Sequence, residues 1–227
     1  VQPVLIACSH GTSSPDGQAA VAGLVSAVAA RRPDVDVRAA FVDVERPRVT
    51  DVLEGLDGAP ARIVPLLLSA GYHVYVDLAE ASAAHPATTL APALGPDPRL
   101  AALLTQRLHE AGLRDDDTVI VAAAGSSDSR AVEDCRDLAE SLGQLIGRPS
   151  PAAYLSAAEP RLDEAVRRAR RQRERSRVVV ATYLLAPGHF ADLAARCGAD
   201  VVTQPLLTPG EPPPPELVDI VLDRYAG

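Results

Sequence analysis

The sequence repeats itself, and that repeat limits the possible folds more tightly than any other feature. Leu5-Ile6-Ala7-Cys8-Ser9-His10-Gly11-Thr12-Ser13 lines up with Val119-Ile120-Val121-Ala122-Ala123-Ala124-Gly125-Ser126-Ser127, an offset of 114 residues (His10 onto Ala124). Pro47-Arg48 with Asp51-Val52 matches Pro160-Arg161 with Glu164-Ala165 at an offset of 113. Arg62-Ile63-Val64 through Gly71-Tyr72-His73 matches Arg177-Val178-Val179 through Pro187-Gly188-His189, where His73 falls on His189 at 116. Gly95-Pro96-Asp97-Pro98 ahead of one helix echoes Pro209-Gly210-Glu211-Pro212 ahead of the last. A near-constant offset over 227 residues means two copies of one domain-sized unit. The acidic stretch Arg114-Asp115-Asp116-Asp117 is the natural seam, giving expected domains of 1–113 and 114–227.

Within a copy, short β-branched apolar runs alternate with helical stretches. Val4–Cys8 reads as a buried strand, and Val21, Leu24, Val25 and Val28 share one face of a helix over 16–31. Residues 35–44, 62–69 and 88–92 read as strands; 49–56, 76–84 and 98–111 read as helices. Strand–helix alternation predicts parallel βαβ units with both sheet faces covered. The expected fold class is α/β: two similar, Rossmann-like domains related by duplication, facing each other across a cleft.

Composition narrows the chemistry. All 22 basic residues are arginine, against 30 acidic ones, for a net charge of −8. Without lysine there is no Schiff-base amine and no common phosphate-loop lysine. The acidity, the 3 % aromatic content and the absence of Trp argue against nucleic acid as a partner. Three widely spaced cysteines, Cys8, Cys135 and Cys197, make neither a C-x-x-C pair nor a disulfide framework. The apolar runs are strand-sized, too short to cross a membrane. The first residues read as a strand rather than a secretory leader. A cytoplasmic location with no membrane partner is therefore expected. The arginine-rich segment 167–177 reads as a solvated helix face, and Pro212–Pro215 as a stiff entry to the last helix.

Ligands of parallel α/β sheets bind beyond the carboxyl ends of the strands. The first copy places His10 there, flanked by Ser9 and Gly11, after strand one. Asp43 and Glu45 lie at the end of strand two, and His73, within Gly71-Tyr72-His73, after strand three. Two neutral imidazoles near a carboxylate suit a borderline divalent ion such as Co2+, Ni2+ or Fe2+, and imidazoles also accept protons near neutrality. A single loop histidine is more often a hydrogen-bonded structural residue; two glycine-flanked ones at equivalent strand ends weigh structure and function evenly. The second copy keeps His189 but has Ala124 in place of His10, so the site is expected in the first copy, with Ser9, Gly11, Gly71 and Tyr72 lining the cleft and His189 either lining it too or left over as a structural residue. His85 and His109 read as structural or solvated.

Ser9-His10-Gly11-Thr12, Phe41-Val42-Asp43-Val44 followed by Pro47, and Pro65-Leu66-Leu67-Leu68-Ser69-Ala70-Gly71-Tyr72-His73-Val74 with Asp77 beyond resemble the sirohydrochlorin chelatases. The likeness is closest to the long, duplicated form of the class II, ATP-independent enzymes, and it covers essentially the whole chain. The resemblance implies a chelatase-like fold and insertion of Co2+ or Fe2+ into sirohydrochlorin, in siroheme or cobalamin biosynthesis. It places the two active-site histidines on His10 and His73 and the supporting carboxylate on Asp43, with Glu45 its rival.

The divalent metal is then a substrate, with Ni2+ a further candidate, and the tetrapyrrole is the other. No tightly bound cofactor is expected, since the sequence stops at Tyr225-Ala226-Gly227 with no His-rich or cluster-bearing extension. A monomer is expected, because the duplication supplies both halves of the cleft. The carboxylates of such a macrocycle lead one to expect arginines facing the cleft. Two other readings stand beside this one. The first is a histidine-phosphatase-like hydrolase, although Ser9 occupies the place of the phosphate-holding arginine. The second is a non-catalytic carrier of metal or tetrapyrrole.

Overall fold

A computed structural model describes residues 2–69, 71–172 and 176–227, and for residues 72–75 the backbone alone. The first half runs β1 (Val4–Ser9), α1 (Pro15–Arg31), β2 (Val37–Phe41), α2 (Val49–Glu54), β3 (Ala61–Pro65), α3 (Tyr72–Ala83), β4 (Thr88–Leu90) and α4 (Pro98–Glu110). The second repeats it as β5 (Thr118–Ala123), α5 (Ser129–Ile146), β6 (Ala152–Tyr154), α6 (Leu162–Gln172), β7 (Val178–Tyr183), α7 (His189–Ala195), β8 (Val201–Val202) and α8 (Pro215–Ala226). The sheets have the same order, β2-β1-β3-β4 and β6-β5-β7-β8, and every pairing is parallel. The expected fold class and duplication are what the structure has.

Each sheet buries both faces, as the apolar runs require. Along β1, Leu5 and Ala7 face one core while Val4, Ile6 and Cys8 face another. The matching β5 residues divide the same way, Val119, Val121 and Ala123 against Ile120 and Ala122. The outer cores are private, one under α2 and α3 and one under α6 and α7. The central core is common to both sheets.

That shared core depends on an exchange the sequence did not announce. Helix α4, the last of the first half, packs on α5 and β7 of the second; α8, the last of the second half, packs on α1 and β3 of the first. Their buried faces correspond residue for residue: Leu100, Ala101, Leu103, Leu104 and Leu108 in α4, and Leu217, Val218, Ile220, Val221 and Tyr225 in α8. Polar contacts secure α8 to the first half. Arg224 donates to the carbonyls of Ala93 and Leu94 at 2.9 and 3.0 Å, and Arg99 reaches Asp223 at 2.6 Å.

Element ends differ from the sequence reading for local reasons. Strand β3 stops at Pro65 rather than 69, because its ladder with β1 ends at the Cys8–Pro65 pair. Strand β2 ends at Phe41, opposite Ser9, so Asp43 and Glu45 lie in the following loop rather than on the strand. Helix α3 begins at Tyr72, not 76: Gly71 is its extended N-cap, and the aromatic and β-branched residues that follow have weak helix propensity. The arginine-rich segment is solvated along α6, with Arg167 on Asp163 and Arg170 on Asp200, and residues 173–175 lie outside the described ones. Helix α8 starts with proline in its first turn, as expected.

Candidate active site

The first sheet extends from β1 to β2 on one side and to β3 on the other. The carboxyl end of β1 is therefore its topological switch point, where such sheets bind ligands. Ser9 is buried there, and His10, the next residue, is exposed. The backbone continues pairing after the strands end: Val42 N–H donates to Ser9 O at 3.0 Å and Asp43 N–H to His10 O at 3.2 Å. Gly11 then turns with φ +91, and a Cβ on it would press on Glu45 N at 3.0 Å, so only glycine fits the crossing. This brings the Glu45 carboxylate to Thr12, whose N–H it accepts at 2.9 Å.

The two candidate carboxylates are thus placed differently. Glu45 is partly buried and lines the cavity described below. Asp43 sits beside His10 through the backbone, but its side chain is 65 % exposed and points to Arg48 at 3.7 Å.

A cavity of about 590 Å3 opens between the two sheets' ends, within the ~300–1,000 Å3 usual for small-molecule sites. The first half lines it with residues 9–13, Val44, Glu45, 66–69 and Gly71. The second half contributes residues 123–126, Cys135 and 183–191. The copies interlock around it. Gly188, at φ +148, has Thr12 Oγ1 3.2 Å from where a Cβ would stand, and Gly71 faces Ser126. Tyr183, fully buried at the end of β7, donates its hydroxyl to Leu68 O at 2.8 Å and so ties the second sheet to the loop after β3. Burial raises the Tyr183 hydroxyl well above its ordinary value and pushes the Cys135 thiol up to about 11, so both are neutral walls near pH 7.

Among the expected residues, the cavity gathers Ser9, His10, Gly11, Glu45, Gly71 and His189. The side chains of Tyr72 and His73 lie outside the described residues; their backbone forms the start of α3, directly after the cavity residue Gly71. His85 is structural, its Nδ1 at 2.9 Å from Ala81 O, and His109 is exposed on α4.

Sequence reasoning missed Phe190 and Val44. They are two of the exposed large hydrophobic residues and both border the cavity; the signal was an aromatic beside the repeated histidine. The arginines expected in the cleft are absent from its described lining. Arg99, Arg177 and Arg224 are engaged instead in ion pairs that join elements elsewhere. A phosphate would lack the cationic cradle that a histidine phosphatase requires.

The fold and cleft define a class: duplicated two-sheet α/β proteins with a cavity at the junction of the copies. The chain belongs to the CbiX family, whose model matches residues 4–111 and 118–194, both copies of the repeat. It is 28 % identical over 87 residues to the sirohydrochlorin cobaltochelatase of Methanococcoides burtonii, and 29 % over 77 residues to that of Methanosarcina barkeri. Those matches cover 37 % and 33 % of this chain, and 66 % and 59 % of the relatives' own length. Among solved structures, SirB from Bacillus subtilis with Fe3+ superposes with a TM-score of 0.77 at 17 % identity, covering 100 % of this chain and 95 % of that one. The sirohydrochlorin chelatase SirB of Bacillus subtilis subspecies spizizenii in complex with cobalt gives 0.75 at 16 %, covering 100 % and 94 %. These structural likenesses establish a common fold.

Proposed function

We propose that this chain is a metal chelatase that inserts a divalent ion, Co2+ or Fe2+, into sirohydrochlorin. The observation that carries the reading is the exposed His10, held beside Glu45 at the end of β1, in a cavity closed by the second copy. Both copies fall within the family match, and the two relatives found by sequence are named sirohydrochlorin cobaltochelatases.

The chemistry follows from the residues. A flat macrocycle fits a slot with apolar walls, here Val44, Leu66, Leu184 and Phe190. Insertion exchanges two pyrrolic N–H bonds for two metal–nitrogen bonds, so the site must release an ion from its own ligands and accept protons near neutral pH. His10 presents an imidazole for the incoming ion, and His73, just past Gly71, is the second ligand in this reading. Glu45 has one oxygen on Thr12 N–H and so fixes the loop that carries His10. Asp43, largely exposed at the mouth, adds negative charge for the arriving cation. The metal is a substrate, and no resident cofactor is invoked.

The chain acts as a monomer in this reading, since its own second copy completes the cleft and exchanges a helix with the first. Three free cysteines, two of them buried, fit a reducing cytoplasm, and no helix among the described residues is long and apolar enough to cross a membrane.

The test is a metal-resolved insertion assay, following macrocycle absorbance with Co2+ or Fe2+. Wild type turns over, and His10→Ala and His73→Ala each fall by about 100-fold or more. Wild-type rates in both variants would remove the assignment.

A further inference from the structure

The duplication lost one histidine and kept another, and the survivor lies in the same cavity as His10. His189 is the first residue of α7 and is exposed toward the opening. It is placed by a contact between the copies. The carbonyl of Pro187 sits where a Cβ on Gly17 would fall, and Gly188 rests against Thr12, two residues from His10. The ring is steadied by Phe190, edge-on at 5.5 Å between centroids and 61° between planes. Among the described residues, neither nitrogen of His189 has a hydrogen-bond or ion-pair partner. No group of three metal-binding side chains forms among those residues either.

We infer that His189 is a proton acceptor contributed by the second copy, taking a pyrrolic proton from the macrocycle while the first copy delivers the metal. This rests on the chelatase reading and deepens it. In the step, an N–H bond of the macrocycle breaks as a metal–nitrogen bond forms. The proton moves to a ring-nitrogen lone pair of His189, and the imidazolium then passes it to water at the open side of the cavity. Two such transfers balance the exchange of two protons for one divalent ion, with no oxidation or reduction. Dividing the work between copies resolves a conflict: a histidine bound to the incoming cation has no lone pair left for a proton. The titratable groups that share the cavity with His189 are His10, Glu45 and the neutral Tyr183 and Cys135; Asp192 lies in the first turn of its own helix, Arg196 caps that helix, and Asp16 lies in the first turn of α1.

The experiment compares wild type, His189→Ala and His189→Gln for Co2+ insertion into sirohydrochlorin between pH 5.5 and 8.5. Binding of Co2+ alone is measured by calorimetry, and thermal melts check folding. The expected result is a fall in kcat of about 10- to 100-fold in both variants, with KM for the macrocycle and Co2+ affinity within about twofold of wild type. The residual rate climbs with pH where wild type levels off, and added imidazole restores part of it in His189→Ala. Unchanged kcat in both variants overturns the inference, as does a loss that follows weakened Co2+ binding. A lowered rate with the wild-type pH profile and no imidazole rescue does the same. An inert wild type overturns the chelatase reading and this inference with it, whereas active wild type with equally active variants overturns this inference alone.

Discussion

Thr12 and Glu45, 33 residues apart, are joined by a hydrogen bond of 2.9 Å from the Thr12 N–H to Glu45 Oε1. It closes the gap between the loops after β1 and β2, on which His10 and Asp43 sit. The bond separates the roles of two carboxylates that the sequence presents as interchangeable.

That separation predicts different defects. Glu45→Ala frees the His10 loop, and in the proposed reaction kcat for metal insertion falls by about 10-fold, the effect expected when an imidazole proposed to hold the metal loses its orientation. Glu45→Gln keeps an oxygen for Thr12 and retains most of that rate. Asp43→Asn leaves the loop intact and raises the metal concentration needed for half-maximal rate, with kcat little changed. Initial rates against Co2+ concentration for the three variants decide it; identical defects in Asp43→Asn and Glu45→Ala would count against the division.

Phe190 and Val44 stand exposed at the cavity's edge, on opposite copies, where a flat macrocycle of the proposed kind would bury them. Phe190→Ala removes an aromatic face and an edge contact to His189. The macrocycle's KM is expected to rise by about 5- to 10-fold, corresponding to the roughly 1 kcal/mol of an aromatic contact. Co2+ affinity in the absence of macrocycle stays as in wild type. A KM unchanged in Phe190→Ala would mean the macrocycle lies elsewhere in the cleft.

Much of this was legible in the sequence because it rests on local pattern. Strand order is not local, yet the alternation of buried runs and helices fixed the parallel class, and the repeat fixed the likeness of the two halves. The place of His10 in the cavity wall was legible because a glycine-flanked histidine directly follows a buried strand. What escaped notice depends on long-range packing. The exchange of α4 and α8 leaves no trace in their amphipathic faces, which are the same whichever sheet they cover. The difference between Asp43 and Glu45 appears only when Gly11 crosses over Glu45. The expectation of cleft arginines reasoned from the ligand, and the fold had already engaged several of those side chains in joining its elements.

Asp117 offers a test at the seam. Its carboxylate is fully buried, takes Arg177 Nε and Nη2 at 2.9 and 2.6 Å, and accepts Arg114 N–H at 2.8 Å. The hydrogen bonds from Arg177 hold its pKa below the ordinary aspartate range, outweighing burial. A depressed carboxylate contributes stability that is complete above its unfolded pKa and is lost as pH falls through the folded value. Asp117→Asn should therefore cost about 2–4 kcal/mol near pH 7, measured by urea unfolding. The gap between variant and wild type should shrink below about pH 4, where the unfolded aspartate protonates. A gap that stays constant from pH 7 to pH 3 would show that charge is not what Asp117 contributes.

The helix exchange makes the two copies dependent on each other, and this can be tested by cutting the chain at the seam. Residues 1–113 alone keep β1–β4 but lose α8, which covers one face of that sheet through Leu217, Ile220, Val221 and Tyr225. They also keep α4, whose matching face of Leu100, Leu103, Leu104 and Leu108 has lost α5 and β7. Each fragment then has an uncovered sheet and an unplaced helix that correspond to one another. Two fragments can satisfy both by laying each α4 where α8 lies in the whole chain, a symmetric arrangement of the kind that closes without leaving a free surface. Sedimentation should find the 1–113 fragment as a dimer, or insoluble where the substitution of α4 for α8 packs poorly, and the intact chain as a monomer. A fragment that is soluble, monomeric and cooperatively folded would mean that the first sheet does not need the second copy's helix.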